Sequence, residues 1–324
     1  MSLLPWPVAW QQALYGRAGF YRGIGPAGHF ATATHPPTGV VLARALLTLA
    51  EREGAQAIVD VGAGRGELLT ALRSLDAGMP LTGLDVVDRP SDLDDSITWL
   101  RSPGGAELPD ELAGLSDTLV IAHEWLDVVP CEIAEVDDSG TLRQVLVDLS
   151  TGQERLGDPL VGPELSWALA HWPAGIPGER VEIGLARDVA WSGLTSRIGS
   201  GCALAVDYGH VAADRPGGGT LTGYADGGQV APVPDGSCDL TAHVAMDSLS
   251  HDELHTQRDA LRALGLRGAT PPLAQASSDP SAYLRGLAEA SHAATLMDPS
   301  GYGGFLWALR RVPRAGQHTA DSGA

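Results

Sequence analysis

Residues 57–66 read AIVDVGAGRG, an apolar run followed by glycines at positions 62, 64 and 66. The apolar run predicts a buried strand, and the following residues GELLTALRSL (66–75) predict a helix. Glycines between a strand and a helix let the backbone turn tightly and approach a ligand. The stretch therefore predicts an α/β nucleotide-binding fold, although many ligands use such a loop.

Two acids narrow the choice of ligand. Asp60 lies inside the strand, where its charge would oppose a pyrophosphate, and Asp85 ends the next predicted strand, LTGLDVV (81–87). An acid about 20 residues past the loop is typical of ribose binding. This pattern favours S-adenosylmethionine, whose methionine end is cationic, over the alternatives of NAD and of a turn without a ligand. The predicted cofactor-binding residues are Asp60, Gly62, Ala63, Gly64, Gly66, Asp85 and Val86.

Strand and helix patterns alternate along most of the chain, which predicts a doubly wound, mainly parallel sheet. We predict further strands at 96–100, 118–125, 201–210 and 303–312, and helices at 6–20, 38–53 (with Thr38 as its N-cap), 247–265 and 280–297. Residues 209–243 are predicted to be a long loop rich in glycine and proline.

The pattern changes after residue 130, where alternating residues on both sides of Asp138-Ser139-Gly140 predict a β-hairpin. The expected organisation is an N-terminal segment (1–54), a core (55–130 and 181–312), an inserted cap (131–180) and a disordered tail (313–324).

A second motif, AHEWLDVVP (122–130), follows the predicted strand 118–125. Ligands bind beyond the carboxyl ends of the strands in open α/β sheets. Glu124 and Asp127 could hold a guanidinium or accept the proton lost from an alkylated nitrogen. Glu124 and Asp127 could instead cap the following turn, and His123 could be a general base or a structural group. We take Glu124, Asp127 and His123 as the catalytic candidates.

Composition excludes several chemistries. The chain of 324 residues has 21 basic residues, all arginine, against 40 acids, for a net charge of −19. Without lysine there is no Schiff base and no P-loop or kinase lysine. The acidic balance argues against nucleic-acid binding, and the histidines and three cysteines lack metal spacing. No signal peptide or membrane span is predicted, so a cytoplasmic protein is expected.

Linked motifs occur in a fixed order along the chain: GHFATA (28–33), GAGRG (62–66), AHE (122–124) with Asp127 and Pro130, VDYGH (206–210), GTL (219–221) and DLTAHV (239–244). In this order they resemble the MidA-type methyltransferases, which include the mitochondrial complex I assembly factor that methylates a protein arginine. The resemblance implies a seven-stranded class I methyltransferase core, S-adenosylmethionine as donor, a protein arginine as acceptor, and a homodimer.

Departures from that pattern concern the acceptor side. His29 replaces an aspartate of the family's loop, His35 replaces a glutamate, and Ala245-Met246 replace Asp-Phe. Alternatives are a small-molecule acceptor or a non-catalytic assembly protein on the same fold. The predicted substrate-site residues are Gly28, Phe30, Thr32, Asp207 and Tyr208. Asp239 and Thr241 are predicted to cap a helix, and Trp99 to pack in the core.

Overall fold

The computed structural model describes residues 3–23, 32–76 and 78–314. Two predicted substrate-site residues, Gly28 and Phe30, lie outside the described residues, as do His29 and the tail from residue 315.

Helices and strands alternate as an α/β protein requires, which confirms the expected fold class. The helices are α1 Trp6–Tyr15, α2 Thr38–Arg52, α3 Glu67–Leu75, α4 Gly162–His171, α5 Leu185–Thr195, α6 Gln257–Ala263, α7 Leu273–Ser278 and α8 Pro280–Leu296. The strands are β1 Leu3–Pro5, β2 Ala57–Val61, β3 Leu81–Asp85, β4 Thr98–Arg101, β5 Thr118–His123, β6 Glu132–Val136, β7 Leu142–Asp148, β8 Glu154–Pro159, β9 Arg180–Ile183, β10 Gly201–Asp207, β11 Gly209–His210, β12 Thr222–Ala225, β13 Gly228–Val230, β14 Asp239–Thr241, β15 Val244–Ala245, β16 Glu253–Thr256 and β17 Leu306–Val312.

The main sheet has seven strands in the order β16-β17-β10-β5-β2-β3-β4. The strands from β10 to β4 are parallel neighbours, and β17 runs antiparallel between β10 and β16. Strand order reverses between β2 and β5, and this reversal opens a crevice at the carboxyl ends of the strands.

Alternate residues of each central strand enter two different cores, as the period of a strand requires. Ile58 of β2 packs with the helices α2, α3, α6 and α8 on one face. Val59 and Val61 pack on the other face with α5 and with residues 244–249. Because both faces are covered, the strands are nearly continuous apolar runs, as in other buried parallel sheets.

A smaller sheet in the order β1-β7-β6-β9, with β8 also paired to β7, stands beside the main sheet. The hairpin predicted around Asp138-Ser139-Gly140 is confirmed, since β6 and β7 pair antiparallel across it. Trp6 and Trp10 of α1 are fully buried against this sheet, and α4 covers its opposite face. Residues 181–183 were expected in the core. As part of β9 they pair with β6 instead, so the inserted sheet extends further than the sequence indicated.

Two segments contain strands where the sequence indicated a helix or a loop. Within the helix expected at 247–265, residues 253–256 form β16, which pairs with β17, and α6 covers only Gln257–Ala263. The loop expected at 209–243 contains β12, β13 and β14, which form a three-stranded sheet.

Two helix ends also differ. The helix expected at 6–20 ends at Tyr15, and Gly16 continues with extended backbone. Thr38 is the first helical residue of α2 rather than its N-cap, and its hydroxyl donates to the carbonyl of His35 at 3.0 Å.

No helix among the described residues has both the length and the apolar character needed to cross a membrane.

Candidate active site

A cavity of about 1240 Å³, counting its solvent-open mouth, lies at the carboxyl ends of β2, β3 and β5. Its walls come from the glycine loop after β2, the turn after β3, the segment after β5 and the N-terminal segment around α1. This is the crevice at which open α/β sheets bind ligands.

The glycine loop needs its glycines for backbone shape. Gly62, Gly64 and Gly66 have φ values of 75°, 60° and 81°, a region that other residues rarely adopt. Gly62, Ala63 and Gly64 line the cavity. Gly66 instead lies beneath it, where an added Cβ would approach Leu93 Cδ1 to 2.7 Å. The predicted role of Gly66 in binding the cofactor is therefore at most an indirect one.

Asp85 ties the second strand end to the glycine loop. Its Oδ2 accepts from the amide of Gly64 at 2.8 Å, and its Oδ1 accepts from the amide of Val87 at 3.1 Å. Burial raises the pKa of Asp85 to about 6, although these amides oppose the shift. A carboxylate oxygen can accept two hydrogen bonds, so each oxygen retains capacity for a ligand hydroxyl. Val86 also lines the cavity.

Asp60 is a buried acid at the bottom of the cavity, with only 3% of its surface exposed. Burial raises its pKa to about 7, while the nearby His123 opposes the shift. A carboxyl group in this state ionises readily when a cation arrives.

Glu124 follows β5 with a φ of 52°, in the left-handed region that is uncommon for a residue with a side chain. Its amide donates to the carbonyl of Val206 at 2.8 Å, which holds this turn onto β10. Its Oε1 lies 3.3 Å from His123 Nδ1, and both residues line the cavity. The arrangement aims a carboxylate into the cavity and gives it a histidine neighbour.

Only one of the two carboxylate oxygens of Asp127 accepts hydrogen bonds from hydroxyl groups. Its Oδ2 accepts from the hydroxyl of Tyr208 and, at 2.7 Å, from the hydroxyl of Thr241. Its Oδ1 is buried and has no hydrogen-bond partner among the described residues. Burial raises the pKa of Asp127, and the charge of Glu124 adds to the shift. The capping role considered for Asp127 is not what the structure shows, because its carboxylate accepts only side-chain hydroxyls.

Asp207 stands behind Asp127 and does not line the cavity. Its Oδ2 accepts from the amide of Leu126 at 3.1 Å, and it is fully buried. Burial and the charges of Asp127 and Glu124 raise its pKa well above the usual range. The sequence placed Asp207 among the substrate contacts, but the structure places it in a supporting layer below them.

Several cavity residues were missed by the sequence reasoning, among them Asp239, Tyr15 and Tyr21. Asp239 was expected to cap a helix, but it lies in β14, and its Oδ1 accepts from the hydroxyl of Tyr21 at 2.7 Å. Tyr15 packs beside Tyr21 with ring centroids 5.4 Å apart. Tyr15 and Tyr21 lie in none of the quoted motifs, and the Tyr21–Asp239 pair spans 218 positions, so nothing local indicates that these two residues meet.

The N-terminal segment contributes Thr32, Thr34 and His35 to the cavity. His35 Nδ1 lies 3.0 Å from the amide and 2.8 Å from the hydroxyl of Thr32. Trp99 does not line the cavity and packs against the core beside Gly66 and Gly83, as expected.

The sequence-predicted residues that the structure brings to this one cavity are Thr32, Asp60, Gly62, Ala63, Gly64, Asp85, Val86, His123, Glu124, Asp127 and Tyr208. Within the described ranges no group of three or more histidine, cysteine, aspartate and glutamate side chains could hold a metal ion.

Comparison with known proteins bears on the fold and the family. The protein is similar to a Burkholderia thailandensis protein whose crystal structure contains S-adenosyl-homocysteine. The sequences are 20% identical, the TM-score is 0.71, and the match covers 97% of this chain and 89% of that one. A second crystal structure, of an uncharacterized superfamily relative from the same organism, matches with 21% identity, a TM-score of 0.69, and coverage of 95% and 87%. At these identities the likeness establishes the fold. No curated protein matches the chain.

The cavity suits S-adenosylmethionine as a ligand. Glycine-loop backbone without side chains, a buried acid at Asp60 and an amide-anchored acid at Asp85 are present together on its wall. Residues 84–264, more than half of the chain, match the model of a family described as "Putative S-adenosyl-L-methionine-dependent methyltransferase". This assignment favours S-adenosylmethionine over the alternative of NAD. The chain belongs to this family of S-adenosyl-L-methionine-dependent methyltransferases, and S-adenosylmethionine is its cofactor.

Proposed function

We propose that the protein transfers a methyl group to a nitrogen of a cationic acceptor, and that the acceptor is the guanidinium of a protein arginine. One observation carries the proposal: the Oδ1 of Asp127, a carboxylate that is 2% exposed, lacks a hydrogen-bond partner among the described residues. A buried polar atom without a partner is rare unless a ligand or water satisfies it. Asp127 lines the cavity, and the carboxyl of Asp207 behind it shares a hydrogen bond with Asp127; we propose that an acceptor cation approaches Asp127 from the cavity side.

The surroundings of Asp127 favour a cation as its partner. Glu124 lies nearby on the same segment, and its Oε1 is also buried without a hydrogen-bond partner among the described residues. Asp239 adds a third carboxyl to the wall, and Tyr15 and Tyr21 add aromatic rings. Carboxylates bind a guanidinium through paired, charge-assisted hydrogen bonds, and tyrosine rings attract cations.

S-adenosylmethionine supplies an already activated methyl group on a sulfonium sulfur. The acceptor nitrogen forms a bond to that methyl carbon as the bond from carbon to sulfur breaks, and one proton leaves the nitrogen. Asp127 and Glu124 would orient the nitrogen and take the proton, while the hydroxyls of Tyr208 and Thr241 hold Asp127 in place.

On the donor side, Asp60 would lie near the cationic methionine end, and Asp85 would accept from the ribose hydroxyls. We further propose that the seven-stranded sheet is the core of a class I methyltransferase of the MidA type. The strand order and the motifs quoted above support this assignment.

The test is transfer of an isotope-labelled methyl group from S-adenosylmethionine to the proteins and small molecules of a cell extract, followed by hydrolysis and identification of the labelled product. We expect the label in methylated arginine. Label in another amino acid or in a small molecule would contradict the arginine acceptor. Binding of S-adenosylhomocysteine without any transfer would favour the assembly-protein alternative.

Variants then test the two carboxylates. Asp127→Asn and Glu124→Gln should lower kcat/KM by roughly 100-fold or more, because each loses a proton acceptor and a partner for the cation. Binding of S-adenosylhomocysteine, measured by calorimetry, should stay within about twofold. Asp110→Asn and Glu111→Gln are matched controls on exposed residues and should leave both quantities unchanged. Full activity of both cavity variants would refute the roles assigned here.

A further inference from the structure

The loop before α2 places a histidine ring against the donor side of the cavity. The amide of Thr32 lies 3.0 Å from His35 Nδ1, and the hydroxyl of Thr32 lies 2.8 Å from the same atom. An amide can only donate, so Nδ1 is its acceptor and the neutral ring carries its hydrogen on Nε2. The loop therefore fixes both the position and the tautomer of the ring.

The Nε2 of His35 has no hydrogen-bond partner among the described residues, although it is buried. The nearest acid oxygen, Glu67 Oε1, is 3.6 Å away, which is too long for a hydrogen bond. A buried donor left without a partner destabilises the protein, because the hydrogen bond that it gave up to water is not replaced. A ligand in the cavity that His35 lines would remove this cost.

Glu67 is oriented by its own contact at the start of α3. Its Oε2 accepts from the amide of Arg65 at 2.9 Å, which leaves Oε1 on the side of His35. The same Oε2 would lie 3.1 Å from a Cβ added at Gly64, so the carboxylate sits directly on the glycine loop. Both side chains line the cavity together with Asp60.

A fixed N–H donor beside a carboxylate is complementary to a zwitterion. The methionine end of S-adenosylmethionine carries one carboxylate, which accepts hydrogen bonds, and one ammonium, which donates them. We propose that His35 and Glu67 bind this amino-acid end, with His35 Nε2 donating to the carboxylate and Glu67 Oε1 accepting from the ammonium. The position at which the resembling family has a glutamate thus becomes a donor-binding position in this chain.

The experiment compares two probes by calorimetry on the full chain. S-adenosylhomocysteine carries the amino-acid end, and 5′-deoxy-5′-methylthioadenosine lacks it but keeps the adenosine and the sulfur. His35→Ala should weaken binding of S-adenosylhomocysteine by about tenfold or more and change binding of methylthioadenosine by less than about twofold. Glu67→Gln should show the same selective loss. His35→Gln, which keeps an N–H at a similar reach, should restore part of the affinity.

Two further variants serve as controls. His255→Ala removes a histidine that is 54% exposed and should affect neither probe. Arg65→Ala removes the basic side chain of the glycine loop, which also lines the cavity. If Arg65→Ala selectively weakens binding of S-adenosylhomocysteine and His35→Ala does not, the proposal is overturned. The carboxylate of the ligand would then be bound by Arg65 instead of His35.

Other outcomes also overturn it. If His35→Ala weakens binding of both probes equally, His35 only positions the loop. If it weakens binding of neither probe, His35 makes no contact with the ligand. If the unmodified protein binds methylthioadenosine and not S-adenosylhomocysteine, the donor assignment itself fails, which is a different result from loss in a variant alone.

Discussion

Asp60 is subject to two opposed effects. Burial favours its neutral form and raises its pKa to about 7, whereas a cation in the cavity favours the carboxylate. Without a ligand, the folded protein therefore keeps a proton on Asp60 at pH values at which the unfolded chain has already lost it. This difference makes the stability of the free protein depend on pH.

The sign of this dependence is specific to a raised carboxyl pKa. Between about pH 4 and pH 7 the folded state binds more protons at Asp60 than the unfolded state, so stability falls as pH rises. The side chain at position 60 cannot ionise in the Asp60→Asn variant, so the variant does not lose stability in this way as pH rises. We expect the free energy of unfolding of the variant, relative to the natural protein, to rise across this range by about 4 kcal/mol at most.

Chemical denaturation of both proteins at several pH values between 4.5 and 8 measures this difference. Asp110→Asn, at an exposed aspartate, is the control and should give a difference that does not change with pH. A constant difference for Asp60→Asn as well would show that the folded state does not hold the proton.

At the residue scale, the sequence predicted those parts of the site that lie at strand ends. Asp60, Asp85 and Glu124 follow apolar runs, so their position at one edge of the sheet could be inferred from local pattern. Tyr21 and Asp239 carry no such signal, because each reaches the cavity through a contact with the other across 218 positions. The local pattern did not separate the roles of two other acids, since Asp207 ends β10 as Asp85 ends β3, but only Asp85 lines the cavity.

At the scale of elements, Arg187 of α5 joins several segments around the site. It is 1% exposed, and its guanidinium donates to the backbone carbonyls of Asp127, Val129 and His243 at 2.7, 3.2 and 2.8 Å. The same guanidinium lies 5.7 Å from the ring of Trp10 in α1. One buried side chain therefore connects the acceptor segment, the segment after β14 and the N-terminal helix.

Arg187→Met should lower the free energy of unfolding by about 3–5 kcal/mol, because three buried carbonyls lose their donor. Arg187→Lys keeps the charge but not the planar set of donors. Its free energy of unfolding should therefore lie between those of Arg187→Met and the natural protein. Denaturant titration measures both. Arg155→Met, at an exposed arginine, should change stability by no more than about 0.5 kcal/mol. An equally small effect at position 187 would refute the bridging role.

Elements whose state depends on local pattern were predicted well, and those whose state depends on a distant partner were not. The strands and helices from β2 to β5 carry their own periodicity and boundaries. The residues of β16 read as part of a helix, and pairing with β17, some fifty positions later, makes them a strand. Likewise, nothing within Arg180–Ile183 indicates that it joins the smaller sheet, because β6 alone provides its partner there.

At the scale of the whole molecule, the order of strands makes the end of the sheet depend on a single element. β17 lies between β10 and β16, and β16 has no other neighbour in the sheet. A chain ending at residue 305 would therefore lack β17, leave β16 without a partner, and lose Trp307 from the core. We expect it to lack a cooperative unfolding transition by circular dichroism and calorimetry.

A chain ending at Arg314 keeps every described strand and is the matched control. It should unfold cooperatively, with a midpoint close to that of the full chain. Cooperative unfolding of the shorter chain would show that the five parallel strands of the main sheet, β10, β5, β2, β3 and β4, are stable without β16 and β17.

The same strand order has a consequence for synthesis on the ribosome. β1 and α1 are made before the other described elements, yet β1 pairs with β7, so Trp6 and Trp10 lack their packing partners in β7 until residue 148 has been made. Meanwhile β2 to β5, which carry the glycine loop and Glu124, are already available to associate. The donor side of the cavity is therefore synthesised in full before the wall that carries Tyr15 and Tyr21 can pack against it. The last described strand to be synthesised, β17, is the one that joins β16 to the main sheet.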